Sequence, residues 1–140
     1  VRYIFFVTRE PWASFNSVYA YIRTKDRIPD EYVALYSDED SMKNVSNMLN
    51  IMYNALGKKL KIEKVRIPDA SVEDLAKILE NLIEEGDIVD ITGARKLMIL
   101  SLLGIRGIIV VYLYLQDMRF SSLPFMARPL SIQQLVEVEI

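Results

Sequence analysis

The chain has no histidine and no cysteine in its 140 residues. Without cysteine there are no disulfides and no thiolate metal sites. Without histidine the commonest general base, the commonest metal ligand and every Ser-His or Cys-His nucleophile pair are excluded. Catalysis here has to use lysine, arginine, carboxylates, hydroxyls or the substrate's own groups, and neither a metal nor a cofactor is expected. The patterns G-x-G-x-x-G and G-x-x-x-x-G-K-[ST] are also absent. That argues against dinucleotide or nucleoside-triphosphate use of the usual kind. No apolar run reaches membrane-spanning length, because 97–103 and 107–115 are broken around Gly104, Arg106 and Gly107. The opening "VRYIFFV" is short and runs straight into polar residues, unlike a signal peptide. A cytoplasmic protein without membrane contact is the expectation.

What is present suits a globular chain. Hydrophobic residues make up 51% and charged ones 26%, with a net charge of −2. A core can be buried, and one domain over 1–140 is expected. A mildly acidic chain is not a general DNA-coating protein, so any nucleic-acid contact should be local.

Patterning predicts strands at 1–8, 31–37, 59–67, 87–91 and 107–115. Helices are predicted at 15–25, 38–57, 68–86 and 93–104, with 9–14 as a loop. Ser71 can cap the third helix, with Asp74 at capping-box distance, and Gly57, Gly86 and Gly104 serve as stops. The segment 116–134 is irregular, a hairpin or an interface arm, and 135–140 alternates like an edge strand. Such alternation predicts an α/β fold, a doubly wound and mostly parallel sheet with a short C-terminal extension.

Ligands in such sheets lie beyond the carboxyl ends of the strands, near the switch point in strand order. Two loops are candidates. In the loop after the fourth strand, Gly93 and Ala94 are small and let backbone approach a ligand, and Arg95 and Lys96 add two cations. Arginine grips phosphate with paired hydrogen bonds and lysine acts as a point charge. A phosphate site and a tight turn with two solvated cations both fit. In the loop after the first strand, Thr8 offers a hydroxyl and Arg9 a cation. Trp12 either stacks on a base or packs as a lid on the helix. Asn16 either caps that helix or meets a base edge.

The motif "DITGARKLM" after a strand resembles the signature of CRISPR-associated Rossmann-fold (CARF) domains, and "VTREPWASFNSVYAYI" resembles their loop after the first strand. The resemblance covers about residues 1–115. It implies a homodimer that binds cyclic oligoadenylate, such as cyclic tetra-adenylate, across its two-fold axis. The short tail resembles stand-alone archaeal ring nucleases, or a sensor domain separated from its effector. Ring nucleases cut their ligand without metal and so switch off the antiviral response. On that resemblance Lys96, Thr8 and Glu10 are the catalytic candidates. Arg9, Trp12, Ser14, Asn16, Thr92, Gly93, Ala94 and Arg95 are the ligand-binding candidates. Glu10 stands where such enzymes place a serine, and Ala94 where they place a glycine. Glu10 is either a base for the ribose 2′-hydroxyl or a repulsive charge that blunts turnover.

Overall fold

The computed structural model describes residues 1–68 and 71–140. Strands and helices alternate as β1 (Arg2–Phe6), α1 (Pro11–Lys25), β2 (Glu31–Tyr36), α2 (Glu39–Ala55), β3 (Ile62–Arg66), α3 (Val72–Leu82), β4 (Ile88–Asp90), α4 (Lys96–Leu100) and β5 (Ile109–Leu115). Three short 3-10 turns then lead to β6 (Gln133–Glu139). The six strands form one sheet in the order β3-β2-β1-β4-β5-β6. β1 to β5 run parallel, and β6 returns antiparallel beside β5. The chain is therefore an α/β protein with a mostly parallel, Rossmann-like sheet. No helix among the described residues is long and apolar enough to cross a membrane.

Successive side chains of a strand point to opposite faces, and β1 shows what that requires of a central strand. Tyr3 and Phe5 pack on one side with Val18, Val45 and Leu49 of α1 and α2. Ile4 and Phe6 pack on the other with Leu75 and Leu79 of α3 and with Leu102. Both faces are covered, so β1 is apolar from Tyr3 to Phe6 instead of alternating. Edge strand β3 presents Glu63, Lys64 and Arg66 to solvent, charges that discourage pairing with another chain.

The structure moves three predicted boundaries. α1 begins at Pro11 rather than Phe15. The Glu10 side chain accepts from Trp12 N at 3.3 Å, and proline occupies the first turn, where its missing N–H removes nothing. The segment 9–14 is therefore mostly helix. The Ser71 hydroxyl caps α3 by accepting from Asp74 N, as expected, but the helix ends at Leu82 rather than at Gly86, and residues 69 and 70 of the predicted helix lie outside the described residues. α4 is one short helix of five residues instead of the twelve predicted. Ser101 Oγ donates back to Leu97 O at 2.8 Å and lies 3.3 Å from Val72 O of α3, and the chain continues in tight turns.

Candidate functional site

The strand order reverses between β1 and β4, and the loops following these strands meet at that reversal. They border a cleft of about 450 Å³ together with the start of α2. Its lining includes Thr8, Arg9, Glu10, Asp38, Gly93 and Arg95. Two predicted loops therefore share one cavity, at the place where open parallel sheets hold ligands.

Each loop is pinned from below. After β1, Ser14 Oγ donates to Phe6 O at 3.0 Å and accepts from Thr8 N at 3.4 Å. Thr8 Oγ1 donates to Glu10 O at 2.9 Å. After β4, Asp90 accepts from Thr92 N at 2.9 Å and from the Tyr3 hydroxyl at 2.6 Å. Thr92 Oγ1 accepts from Leu113 N at 2.9 Å, tying the loop to β5. At Gly93 a Cβ atom would stand 2.4 Å from Phe6 O and 3.0 Å from Thr8 Cγ2. Glycine is needed there so that one loop can lie against the other.

The predicted residues separate into two groups. Thr8, Arg9, Glu10, Gly93 and Arg95 line the cleft. Ser14 is buried beneath the β1–α1 turn, and Ala94 packs against the α3 side of the core. Thr92 borders a neighbouring pocket and is engaged with β5. Lys96 is exposed at the start of α4, outside the lining. Trp12 also lies outside it, half-buried, with its ring edge-to-face against Phe15 at 5.9 Å. Its observed role is that of a packed lid.

Asn16 needs a correction, since it neither caps α1 nor reaches a cleft. It is fully buried, and its amide holds the irregular segment 116–134. Nδ2 donates to Leu123 O at 2.9 Å, and Oδ1 accepts from Phe125 N at 2.7 Å. The segment is thus an arm laid across α1, with the Phe125 ring 5.5 Å from that of Tyr19. Replacing Asn16 with alanine leaves a buried N–H without a partner, an expected loss of about 1–3 kcal/mol in the arm's local stability. Hydrogen exchange across 118–132 should accelerate. Unchanged protection would mean that the arm is held by other contacts.

Ser37, Asp38 and Met98 belong to the lining and were not anticipated. Asp38 caps α2 by accepting from Ser41 N at 3.1 Å. Hydrogen bonds from Ser41 hold its carboxyl below the ordinary range, and Arg9 adds to the effect. The cleft's charged lining is mixed, with Arg9 and Arg95 set against Glu10 and Asp38. Arg95 stands at the N-terminus of a helix too short to add much dipole. Charge on the side chains therefore dominates anion attraction here.

No protein-family profile matches this sequence, and no curated protein is significantly similar to it.

Proposed function

We propose that this chain binds cyclic oligoadenylate, probe ligand cyclic tetra-adenylate, as a homodimer and opens the ring to linear products ending in 2′,3′-cyclic phosphate. The consequence would be to switch off a type III CRISPR response. The observation that carries the reading is the shared cleft. The two segments that resemble CARF motifs lie far apart in sequence, yet both supply an arginine to one cavity.

The proposed reaction needs no histidine. The ribose 2′-oxygen attacks the adjoining phosphorus, and the bond from phosphorus to the 5′-oxygen breaks. The 2′-hydroxyl gives up a proton and the departing 5′-oxygen gains one. Holding the attack in line and stabilising the developing charge are the protein's tasks. Glu10 uses Oε1 to cap α1, which leaves Oε2 as the candidate acceptor for the 2′-hydroxyl proton. Arg9 and Arg95 would hold phosphates, and Lys96 would stabilise the developing charge.

A second apolar groove of about 540 Å³ supports the dimer. α4 buries none of its residues, and the chain after β5 crosses to the α1 side. β5 and β6 are thereby left bare on the other side, where Leu103 is 66% and Val138 52% exposed. A two-fold contact through this face would place two copies of the 92–96 loop near one axis, matching a symmetric ring. Val138→Lys is expected to reduce the dimer to monomer in light scattering and to lose ring binding with it. A variant that keeps the wild-type mass would exclude this face.

A sensor that binds without cutting is the second reading. It is favoured by Lys96 standing outside the lining and by the Thr8 hydroxyl already donating to Glu10 O. Incubation with labelled cyclic tetra-adenylate in EDTA separates the two. Linear di-adenylate with cyclic-phosphate ends supports the nuclease, and an intact, retained ring supports the sensor. Neither binding nor cleavage, at any ring size, would remove both. Lys96→Ala is expected to abolish cleavage without unfolding. Arg95→Ala should weaken binding and reduce its salt slope by about 0.7 for each phosphate it no longer neutralises.

A further inference from the structure

Arg128 is 7% exposed, yet among the described residues no carboxylate pairs with it. Its Nε donates to Phe120 O at 2.9 Å and Leu123 O at 3.0 Å, and Nη2 donates to Ser121 O at 2.8 Å. These carbonyls satisfy two of its three nitrogens and none of its net charge. Nη1 has no protein partner among the described residues and is open to solvent, since the buried side-chain atom without a partner among them is Gln133 Oε1. Burial pulls the guanidinium pKa down, and Glu10 opposes this only from longer range. A buried cation without a counter-charge is costly unless an anion completes it.

The space for that anion is present. Arg128 lines a pocket of about 140 Å³ with Ser121, Thr92, Ala13 and Met118. The pocket lies beside the main cleft, separated from it by the step from Thr92 to Gly93. It has room for a phosphate group and not for a whole nucleotide. Thr92, Tyr112 and Ser121 add polar side chains, Ala13, Leu113, Leu115 and Met118 are apolar, and the guanidinium is the one charged group of the lining.

We propose that this pocket is a phosphate subsite, in which Nη1 of Arg128 and the Ser121 hydroxyl hold one phosphate group at the arm's junction with α1. The inference stands on Arg128 and its pocket, independently of what occupies the main cleft. The phosphate could belong to a phosphodiester-bearing ligand lying along the strand ends, or be free phosphate.

The test is a titration with inorganic phosphate at constant ionic strength, following the arginine Nε–Hε signals by NMR. The Arg128 signal is expected to shift and saturate. Because Ser121 gives Arg128 only its backbone carbonyl, its side chain can be changed while the anchor stays. Ser121→Glu is expected to supply the missing carboxylate internally, abolishing the phosphate response while the arm's other signals stay in place. No saturable shift in the wild type, or the same shift in Ser121→Glu, would overturn the subsite and leave Arg128 as a fastener of the arm. Cyclic tetra-adenylate added to the phosphate-bound protein then identifies the source. Displacement of phosphate assigns the subsite to the ring's phosphodiester, and retention assigns it to free phosphate. If the ring does not bind at all while the phosphate shift persists, the cyclic-oligoadenylate reading fails and the subsite stands.

Discussion

Replacing Asp90 with alanine is expected to cost about 3 kcal/mol of folding stability, because two buried donors lose their acceptor together. The Tyr3 hydroxyl and Thr92 N both point at this carboxyl, from inside the core and from the base of the cleft loop. Asp90 itself is buried at the end of a strand only three residues long. Nothing nearby in that strand can take over its bonds. Asp90→Asn is the informative companion. Its amide oxygen can still accept from Thr92 N, and its NH₂ can donate to the Tyr3 oxygen, so the loss should be much smaller.

The same pair reads out a pH effect. Burial raises the Asp90 carboxyl above its ordinary value, while the nearby Ser17 hydroxyl and the hydrogen bonds from Thr92 and Tyr3 pull it down and offset only part of the shift. Between the ordinary carboxylate pKa and the raised one, the folded state keeps a proton that the unfolded chain has lost. Stability from this group is therefore full at low pH and declines as pH rises through the folded value. Urea titrations from about pH 4 upward should show this decline in the wild type and a flatter profile in Asp90→Asn. Parallel profiles would mean that Asp90 titrates no differently in the folded and unfolded states.

Gly93→Ala is the second large effect. The constraint is space and not backbone conformation, since the added Cβ would stand 2.4 Å from the Phe6 carbonyl oxygen. Phe6 ends the strand that lies between β2 and β4, so its carbonyl has little room to retreat. The 92–95 loop has to move outward. We expect a loss of about 1–3 kcal/mol, as for other overpacked sites. Arg95 moves with the loop, so ligand affinity at the cleft should fall more than stability alone explains. Thermal unfolding and binding measured on the same preparation check both parts. Wild-type values for each would show that the two loops are not in contact in solution.

Local pattern carried much of this molecule. The unbroken apolar run Tyr3 to Phe6 signalled a strand buried on both faces, and that is how β1 sits. Ser71 and Asp74 marked the start of α3 because a cap is a contact between residues three apart. The early start of α1 is also written locally, in Glu10 and Pro11, although a Pro-Trp step fits a loop equally well. The length of α4 was not legible. Its apolar spacing continues through Leu103, and it is Ser101, bonded back to Leu97 and near Val72 of another helix, that marks its end.

The absence of histidine and cysteine, the β/α alternation and the position of two basic loops after strands follow from residue identity and short-range spacing alone. Which loops meet, and which polar side chains are available to a ligand, was decided only by tertiary packing. Arg9 and Arg95 share a cleft because β1 and β4 are neighbours, though more than eighty residues separate them. Asn16 turned inward because an arm over a hundred residues away required its amide. Periodicity states which residues share a face of one element. It carries no information on which distant backbone that face will meet, and that pairing sets whether a polar side chain faces solvent or completes the core.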